Sequence, residues 1–361
     1  MNRIVISGYY GFGNAGDEAM LSAILEAILE VIPDARITVI SGNPRDTAAK
    51  HGVTSIGRFS LLSIIRSLWS CDLLISGGGS LLQDVTSHRS LYYYLSIIFL
   101  ATVLHKKIMI YAQGIGPLTR QLAKRAVANV LNHVTMITVR DQISKDELLE
   151  LGVHKPPIKV TADAVLSMHA VDTTIGKRLL KAYNLSGVKY RIGVSVRSWK
   201  QATSYRHSLA KALTTLQEEM NAEVLFIPMS HPEDTLEAQK ISELMKHKPI
   251  LLDRTYTTTE LLALSGCVDV MIGVRLHALV FASLMKKPVV GISYDPKIIN
   301  FLDMIGQAPI GTLDSLDETL LVERVKQLLL DKSVYEQSFK QIETLQEESL
   351  KTAHIALSLL D

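Results

Sequence analysis

The sequence predicts an α/β protein built from two Rossmann-like domains facing across a cleft. Short apolar runs, too brief for helices, alternate with longer amphipathic stretches along the whole chain, which is the pattern of parallel sheets covered by helices. Many of these runs end in glycine-rich or charged clusters, where open α/β sheets bind their ligands. The pattern also restarts halfway, and each half has a cysteine six residues ahead of a strand-end glycine, Cys71 before Gly77 and Cys267 before Gly273. At 361 residues the chain is long enough for two domains. The first is expected over residues 1–170 and the second over 185–330. A last amphipathic helix over 334–360 is expected to pack back on the first domain.

In the first half the run Arg3–Ser7 is a strand, followed by the glycine-rich turn from Gly8 to Gly16. Asp17 and Glu18 then open a helix with Met20, Leu21, Ile24, Leu25 and Ile28 on one face. Strands follow at Arg36–Ser41, Asp72–Ser76, Lys107–Ala112, Met136–Val139 and Ile158–Thr161, with helices near Leu61–Trp69, Leu91–Leu104, Leu122–Leu131 and Ser144–Leu151. In the second half strands are expected at Arg191–Val196, Glu223–Pro228, Pro249–Leu252, Val268–Ile272 and Pro288–Ile292. The helices between them are Leu209–Met220, Leu236–Met245, Thr259–Ser265 and Ala278–Met285.

Composition narrows the function classes. The net charge is +2, so bulk charge shows no nucleic-acid footprint. Two distant cysteines fit buried free thiols in a reducing compartment better than a disulfide or metal framework. The amino terminus runs straight into a strand without signal-peptide layout, and the longest apolar run, Leu91–Leu104, is too short to span a bilayer, so a cytoplasmic protein is expected. Glycines at 8, 11, 13 and 16 miss the dinucleotide spacing, which argues against a nicotinamide cofactor. No histidine pair has metal-ligand spacing, and no metal is expected.

Chemistry concentrates between Leu264 and Phe301. The strand ending at Gly273 delivers Arg275 and His277 to the start of an apolar helix, and the next strand delivers Tyr294, Asp295 and Lys297. Cations, a histidine and a helix amino end together make an anion pocket. The structural alternative pairs Arg275 with Asp269 or Asp295 and leaves His277 as a capping residue. In the first half, Gly77-Gly-Gly-Ser80 allows close backbone approach to a ligand or simply a tight turn. Asp17 and Glu18 serve either as helix caps or in proton transfer.

Taken together these motifs resemble the polysaccharide pyruvyltransferases, most closely the bacterial CsaB type that modifies a cell-wall polymer precursor. The resemblance rests on SGYYGFGNAGDE at 7–18, SGGGSLLQD at 76–84, YAQGIGP at 111–117, VRDQIS at 139–144, GVSVR at 193–197, FIPMSHPED at 226–234, GVRLHA at 273–278 and YDPK at 294–297. It covers nearly the whole chain in order. The sequence departs from the family pattern at Ala164 and Ser198, where proline is common.

The resemblance implies a two-domain fold like that of the GT-B glycosyltransferases, phosphoenolpyruvate (PEP) as donor, a sugar acceptor and a cyclic pyruvate ketal as product. Arg197, Arg275, Leu276, His277, Lys297 and Ser80 would bind PEP. His277, with Asp17 and Glu18, would carry protons. Asn14, Asp17, Gln83 and Gln113 would hold the acceptor, since sugar hydroxyls want amide and carboxylate partners. The acceptor implied is a lipid-diphosphate-linked amino-sugar disaccharide, ketalised at the 4- and 6-hydroxyls of N-acetylmannosamine, in secondary cell wall polymer synthesis for S-layer anchoring. Arg58, Arg66 and Trp69 flank an apolar helix. A partly buried core element with ordinary surface arginines is the expected reading, and peripheral contact with the inner face of the membrane is the alternative. Competing functions are a nucleotide-sugar glycosyltransferase of the same fold and a non-catalytic glycan- or anion-binding protein.

Overall fold

The computed structural model describes residues 2–360 apart from 86, 184, 186 and 200–202, with residue 332 in its main chain only. The chain divides into two compact units, residues 1–168 with 345–361, and residues 169–344.

The first unit runs β1 (Arg3–Ser7), α1 (Ala15–Val31), β2 (Arg36–Ser41), α2 (Pro44–His51), β3 (Thr54–Gly57), α3 (Leu61–Ser70), β4 (Leu73–Ser76), β5 (Gly79–Leu82) and α4 (His88–Val103). It continues through β6 (Lys107–Ile115), α5 (Gln121–Leu131), β7 (Met136–Val139), α6 (Gln142–Glu150) and β8 (Ile158–Val160). The strands form one sheet in the order β3-β2-β1-β4-β6-β7-β8, and β5 pairs with the far end of β6. Every pairing is parallel. Central strands such as β4, with the sequence LLIS, are buried along their whole length, which is why they read as continuous apolar runs.

The second unit holds α7 (Thr174–Leu180), β9 (Tyr190–Ser195), α8 (Ser204–Met220), β10 (Ala222–Phe226), α9 (Glu233–Leu244), β11 (Ile250–Leu251), α10 (Thr258–Gly266) and β12 (Val270–Gly273). After these come α11 (Leu276–Leu284), β13 (Val289–Ser293), α12 (Pro296–Met304), β14 (Gly311–Thr312) and α13 (Glu318–Leu330). Its parallel sheet has the order β11-β10-β9-β12-β13-β14. The last helix, α14 (Glu336–Ser358), belongs to the first unit from residue 345 onward, where Ser349 Oγ donates to the Asp163 carbonyl at 2.9 Å.

In each unit the chain reverses direction of growth beside its first strand, between β1 and β4 and between β9 and β12. Loops on either side of such a reversal diverge and leave a crevice at the carboxyl ends of the strands. The cysteine–glycine echo marks the same place twice, since Cys71 precedes β4 and Cys267 precedes β12. A repeated clasp accompanies it. The Arg3 N–H donates to Asp72 at 2.7 Å and the Arg191 N–H to Asp269 at 2.8 Å, each closing the amino end of its sheet. Both cysteines are free and buried, and burial pushes the Cys71 thiol up to about 11.

Candidate functional site

At the crevice of the second unit, β9, β12 and β13 deliver Arg197, Arg275 and Tyr294. Arg275 is the N-cap residue of α11, yet its side chain makes no capping bond. Its guanidinium instead pairs with Asp234, Nε donating to Oδ2 at 3.0 Å and Nη2 to Oδ1. Asp234 is 1% exposed and also accepts the Met229 and Ser230 N–H groups at 3.0 and 2.9 Å. The pairing partners considered from sequence are therefore corrected. Asp269 lies at the opposite end of its strand in the clasp with Arg191, and Asp295 caps α12 by accepting the Lys297 N–H at 3.1 Å. The remaining terminal nitrogen of Arg275 has no protein partner among the described residues.

Arg197 makes no ion pair among the described residues. Its Nη1 donates to the Tyr294 hydroxyl at 2.6 Å, and its guanidinium lies 5.2 and 5.1 Å from the ring centres of Trp199 and Tyr294. Stacking on aromatic rings fixes an arginine in place without neutralising it. Lys297 Nζ lies 3.4 Å from Asp295 and 5.5 Å from the Tyr294 ring centre, so Tyr294 stands between two cations. His277 is the one residue of α11 that is not buried, because an apolar helix packed on all sides reaches the surface only at its first turn. Leu276 has a buried side chain, which limits it to offering its backbone N–H.

In the first unit the glycine-rich turn and the end of β4 meet over Tyr10. This tyrosine is 1% exposed, and its ring lies where side chains on Gly8 or Gly77 would have to go. Gly77 thus makes room for Tyr10 rather than for a ligand. Gly11 has φ +79°, and a Cβ there would strike Ser41 Oγ. Burial, with the charges of Asp17, Tyr94 and Glu18 behind it, pushes the Tyr10 phenol well up.

The candidates of this unit separate by what they touch. Asn14 is the N-cap of α1, its side-chain amide oxygen accepting the Gly16 and Asp17 N–H groups at 3.0 and 3.4 Å. Glu18 accepts the Gly11 N–H at 2.8 Å and lies 3.6 Å from His51, so it braces the turn. Asp17 has a carboxylate oxygen within 3.5 Å of where a Gly79 side chain would begin, beside Ser80. Gln83 accepts the Val85 N–H at 2.9 Å, beyond the far end of β5.

Gln113 is fully buried, and its amide nitrogen donates to the Ser76 carbonyl, the Ser76 hydroxyl and the Gly77 carbonyl. Expected as an acceptor contact, Gln113 braces β6 against the end of β4 through this nitrogen, while its amide oxygen has no hydrogen-bond partner among the described residues. A bulge at Ala112, with φ +47° and its N–H bonded to Thr138 at 2.8 Å, turns Gln113 inward.

Sequence reasoning passed over Arg140. Its buried guanidinium lies against Gly114, donates to Ser80 Oγ at 3.2 Å and sits 3.5 and 3.6 Å from Asp163 and Asp141. Asp234, Tyr294 and Trp199 were likewise visible in the sequence without a role. A charged residue directly after an apolar strand is the signal that could have found Arg140.

A family model for polysaccharide pyruvyl transferase matches residues 14–296, and the chain belongs to that family. No curated protein matches. Among solved structures, MnaA of S. aureus with UDP aligns at TM-score 0.70 and 14% identity, covering 99% of this chain and 95% of that one. The UDP-GlcNAc 2-epimerase of Methanocaldococcus jannaschii aligns at 0.69 and 14%, covering 99% and 100%. A glycosyltransferase of Rickettsia africae aligns at 0.61 and 15%, covering 99% and 95%. At such identities the likeness is one of fold, and it places the two Rossmann-like sheets in the GT-B class. No described helix is long and apolar enough to cross a membrane.

Proposed function

We propose that the chain transfers the pyruvyl group of PEP to a lipid-diphosphate-linked amino-sugar glycan, forming a ketal across two hydroxyls and releasing phosphate. The observation that carries this reading is the amino end of α11. Its N-cap is Arg275 and its first turn holds His277 and no acid. Helix starts favour acids and side-chain caps. One that carries cations suits an arriving dianion.

PEP presents a phosphate and a carboxylate. Arg275, oriented by Asp234, and Arg197, held by two aromatic rings, offer planar forks for these groups, and Lys297 offers a third charge. Protonation of the PEP methylene carbon makes C2 electrophilic, and a sugar hydroxyl forms the first C–O bond there. The C–O bond to phosphate breaks, and a second hydroxyl closes the ketal. One hydroxyl proton ends on the new methyl group and the other on phosphate. His277 is the proton carrier of this scheme, since imidazole gains and loses protons near neutral pH. On the acceptor side Asp17 is the carboxylate we assign to a sugar hydroxyl, because its oxygen lies against the glycine backbone at Gly79, past the carboxyl end of β4. N-acetylmannosamine of a secondary cell wall polymer precursor, ketalised at its 4- and 6-hydroxyls, is the acceptor favoured by the motifs.

Thermal shift tests the donor. PEP should raise the melting temperature progressively as its concentration rises above the dissociation constant, and UDP-sugars should not. Stabilisation by UDP-sugars alone would transfer the chain to the nucleotide-sugar enzymes.

A further inference from the structure

We propose that α3, α4 and the segment entering α3 form a docking surface for an anionic phospholipid bilayer. The outward stripe of α3 carries Leu62, Arg66 and Trp69 at helical spacing, with Phe59 just before the helix. Phe59, Leu62 and Trp69 are 83%, 80% and 70% exposed. The outward stripe of α4 carries Tyr92, Phe99 and Val103, all exposed. Core packing does not account for either stripe, because each helix buries a different face, Ile64 and Leu68 on α3 and Leu91, Leu95 and Ile98 on α4.

The two stripes lie side by side. Lys106 Nζ, just past α4, donates to the Trp69 carbonyl at 2.6 Å, and the Tyr93 hydroxyl donates to the Arg58 carbonyl at 3.1 Å. Single exposed apolar residues are ordinary, but adjoining stripes on neighbouring helices mark an interaction surface.

Charge selects the occupant. Between Asp46 and Asp72, and again between Asp84 and Asp141, the sequence has no acidic residue, yet it carries three and seven Lys or Arg there. The chain as a whole is nearly balanced at +2, so this part of the first unit is locally cationic. Lys50 and Arg140 are paired with aspartates, but apolar and aromatic side chains beside the remaining cations fit the interface of an anionic bilayer. A second copy of the chain fits less well, since a two-fold contact would set this cationic surface against itself.

The surface is also continuous with the glycine-rich turn. The Arg58 guanidinium lies 5.1, 4.9 and 4.5 Å from the ring centres of Phe12, Phe59 and Tyr93, joining the turn ahead of α1 to both helices. Docking there would bring that turn to the plane in which a lipid-linked glycan resides, a use that rests on the proposed function, whereas the docking itself does not.

Sedimentation of the full chain with vesicles of phosphatidylcholine, alone or mixed with phosphatidylglycerol, tests the proposal. Binding to the anionic vesicles should exceed binding to the neutral ones by about ten-fold or more and should weaken with salt. A Phe59→Ser, Leu62→Ser, Trp69→Ser variant should lose it, and Arg66→Glu should reduce it, without change in melting temperature. Equal binding to both vesicle types, or undiminished binding by the triple variant, would overturn the proposal. So would self-association in the absence of lipid that the triple variant abolishes, which would assign the face to a second copy. Phosphate release from PEP with a water-soluble acceptor is read on the same samples. A chain that uses PEP but ignores anionic vesicles overturns docking alone, and one that binds vesicles but never uses PEP overturns the functional reading alone.

Discussion

Arg275 enters the site with part of its charge already matched. Asp234 engages two of its nitrogens and is itself held by two backbone N–H groups, so the guanidinium is aimed before any ligand arrives. Arg275→Ala should weaken PEP binding by roughly 2–4 kcal/mol in calorimetry, the cost of truncating one member of a partly buried charge pair. Arg275→Lys should recover only part of this, because a point charge does not reproduce the fork. Asp234→Asn should also weaken PEP binding although Asp234 is the residue of opposite sign. Unchanged affinity in Asp234→Asn would remove it from positioning Arg275.

At His277, glutamine keeps hydrogen-bonding capacity but cannot titrate. His277→Gln should bind PEP normally while turnover at saturation falls by about 10²–10⁴. A loss confined to PEP affinity would make His277 a binding residue instead. The positions of Arg197 and Arg275 at the crevice were legible because each lies just past an apolar strand, and that of His277 because it opens the helix that follows. The partner of Arg275 was not. Asp234 sits in the first turn of α9, after the loop that leaves β10, and only the strand order, with β9 between β10 and β12, brings that turn within reach. Two strand spacings amount to roughly 10 Å, which one arginine side chain and a turned loop can bridge.

Among the elements, most of those set by long apolar periodicity were legible, although the helices α12 and α13 were passed over, and those set by pairing were not. β3, with the sequence TSIG, and the two-residue β14 are edge strands whose identity comes from their neighbours. β5 was read only as a glycine turn, because Gly79 and Ser80 carry no apolar alternation. Its pairing with β6 depends on the bulge at Ala112.

The loop after β6 depends in turn on Asp84. This buried carboxylate accepts the Thr119 and Arg120 N–H groups at 2.8 and 2.9 Å and the Thr119 hydroxyl at 3.0 Å. Burial pushes its pKa up, but these three bonds outweigh that and hold it below the usual carboxylate range. The folded value thus lies under the unfolded one, near 3.9. The stabilisation is fully present above about pH 4 and is lost as pH falls toward the folded value. Asp84→Asn should cost roughly 1–3 kcal/mol at neutral pH, and the difference from wild type should shrink in acid. Denaturant unfolding at both pH values checks this, and a gap that does not narrow would contradict it.

The whole molecule repeats one device twice. Each unit closes the amino end of its sheet with an aspartate clasp and opens a crevice at the carboxyl end beside its first strand. The faint cysteine–glycine echo was the trace of that repetition, weak because only residues bound to the strand reversal persist in both halves. The chemistry is divided unevenly. The second unit gathers Arg197, Arg275, His277 and Lys297, whereas several polar candidates of the first unit serve as caps and braces, leaving Asp17, Ser80 and Arg140 at its crevice.

The central claim is that this family member consumes PEP, and acceptor-dependent turnover measures it most directly. The protein is incubated with PEP and a lipid-diphosphate amino-sugar disaccharide, phosphate release is followed, and the acceptor is weighed by mass spectrometry. The expected result is phosphate released only when acceptor is present, matched by an acceptor heavier by one ketal-linked pyruvate. Phosphate released equally without acceptor, or an acceptor modified only when a nucleotide sugar replaces PEP, would contradict it.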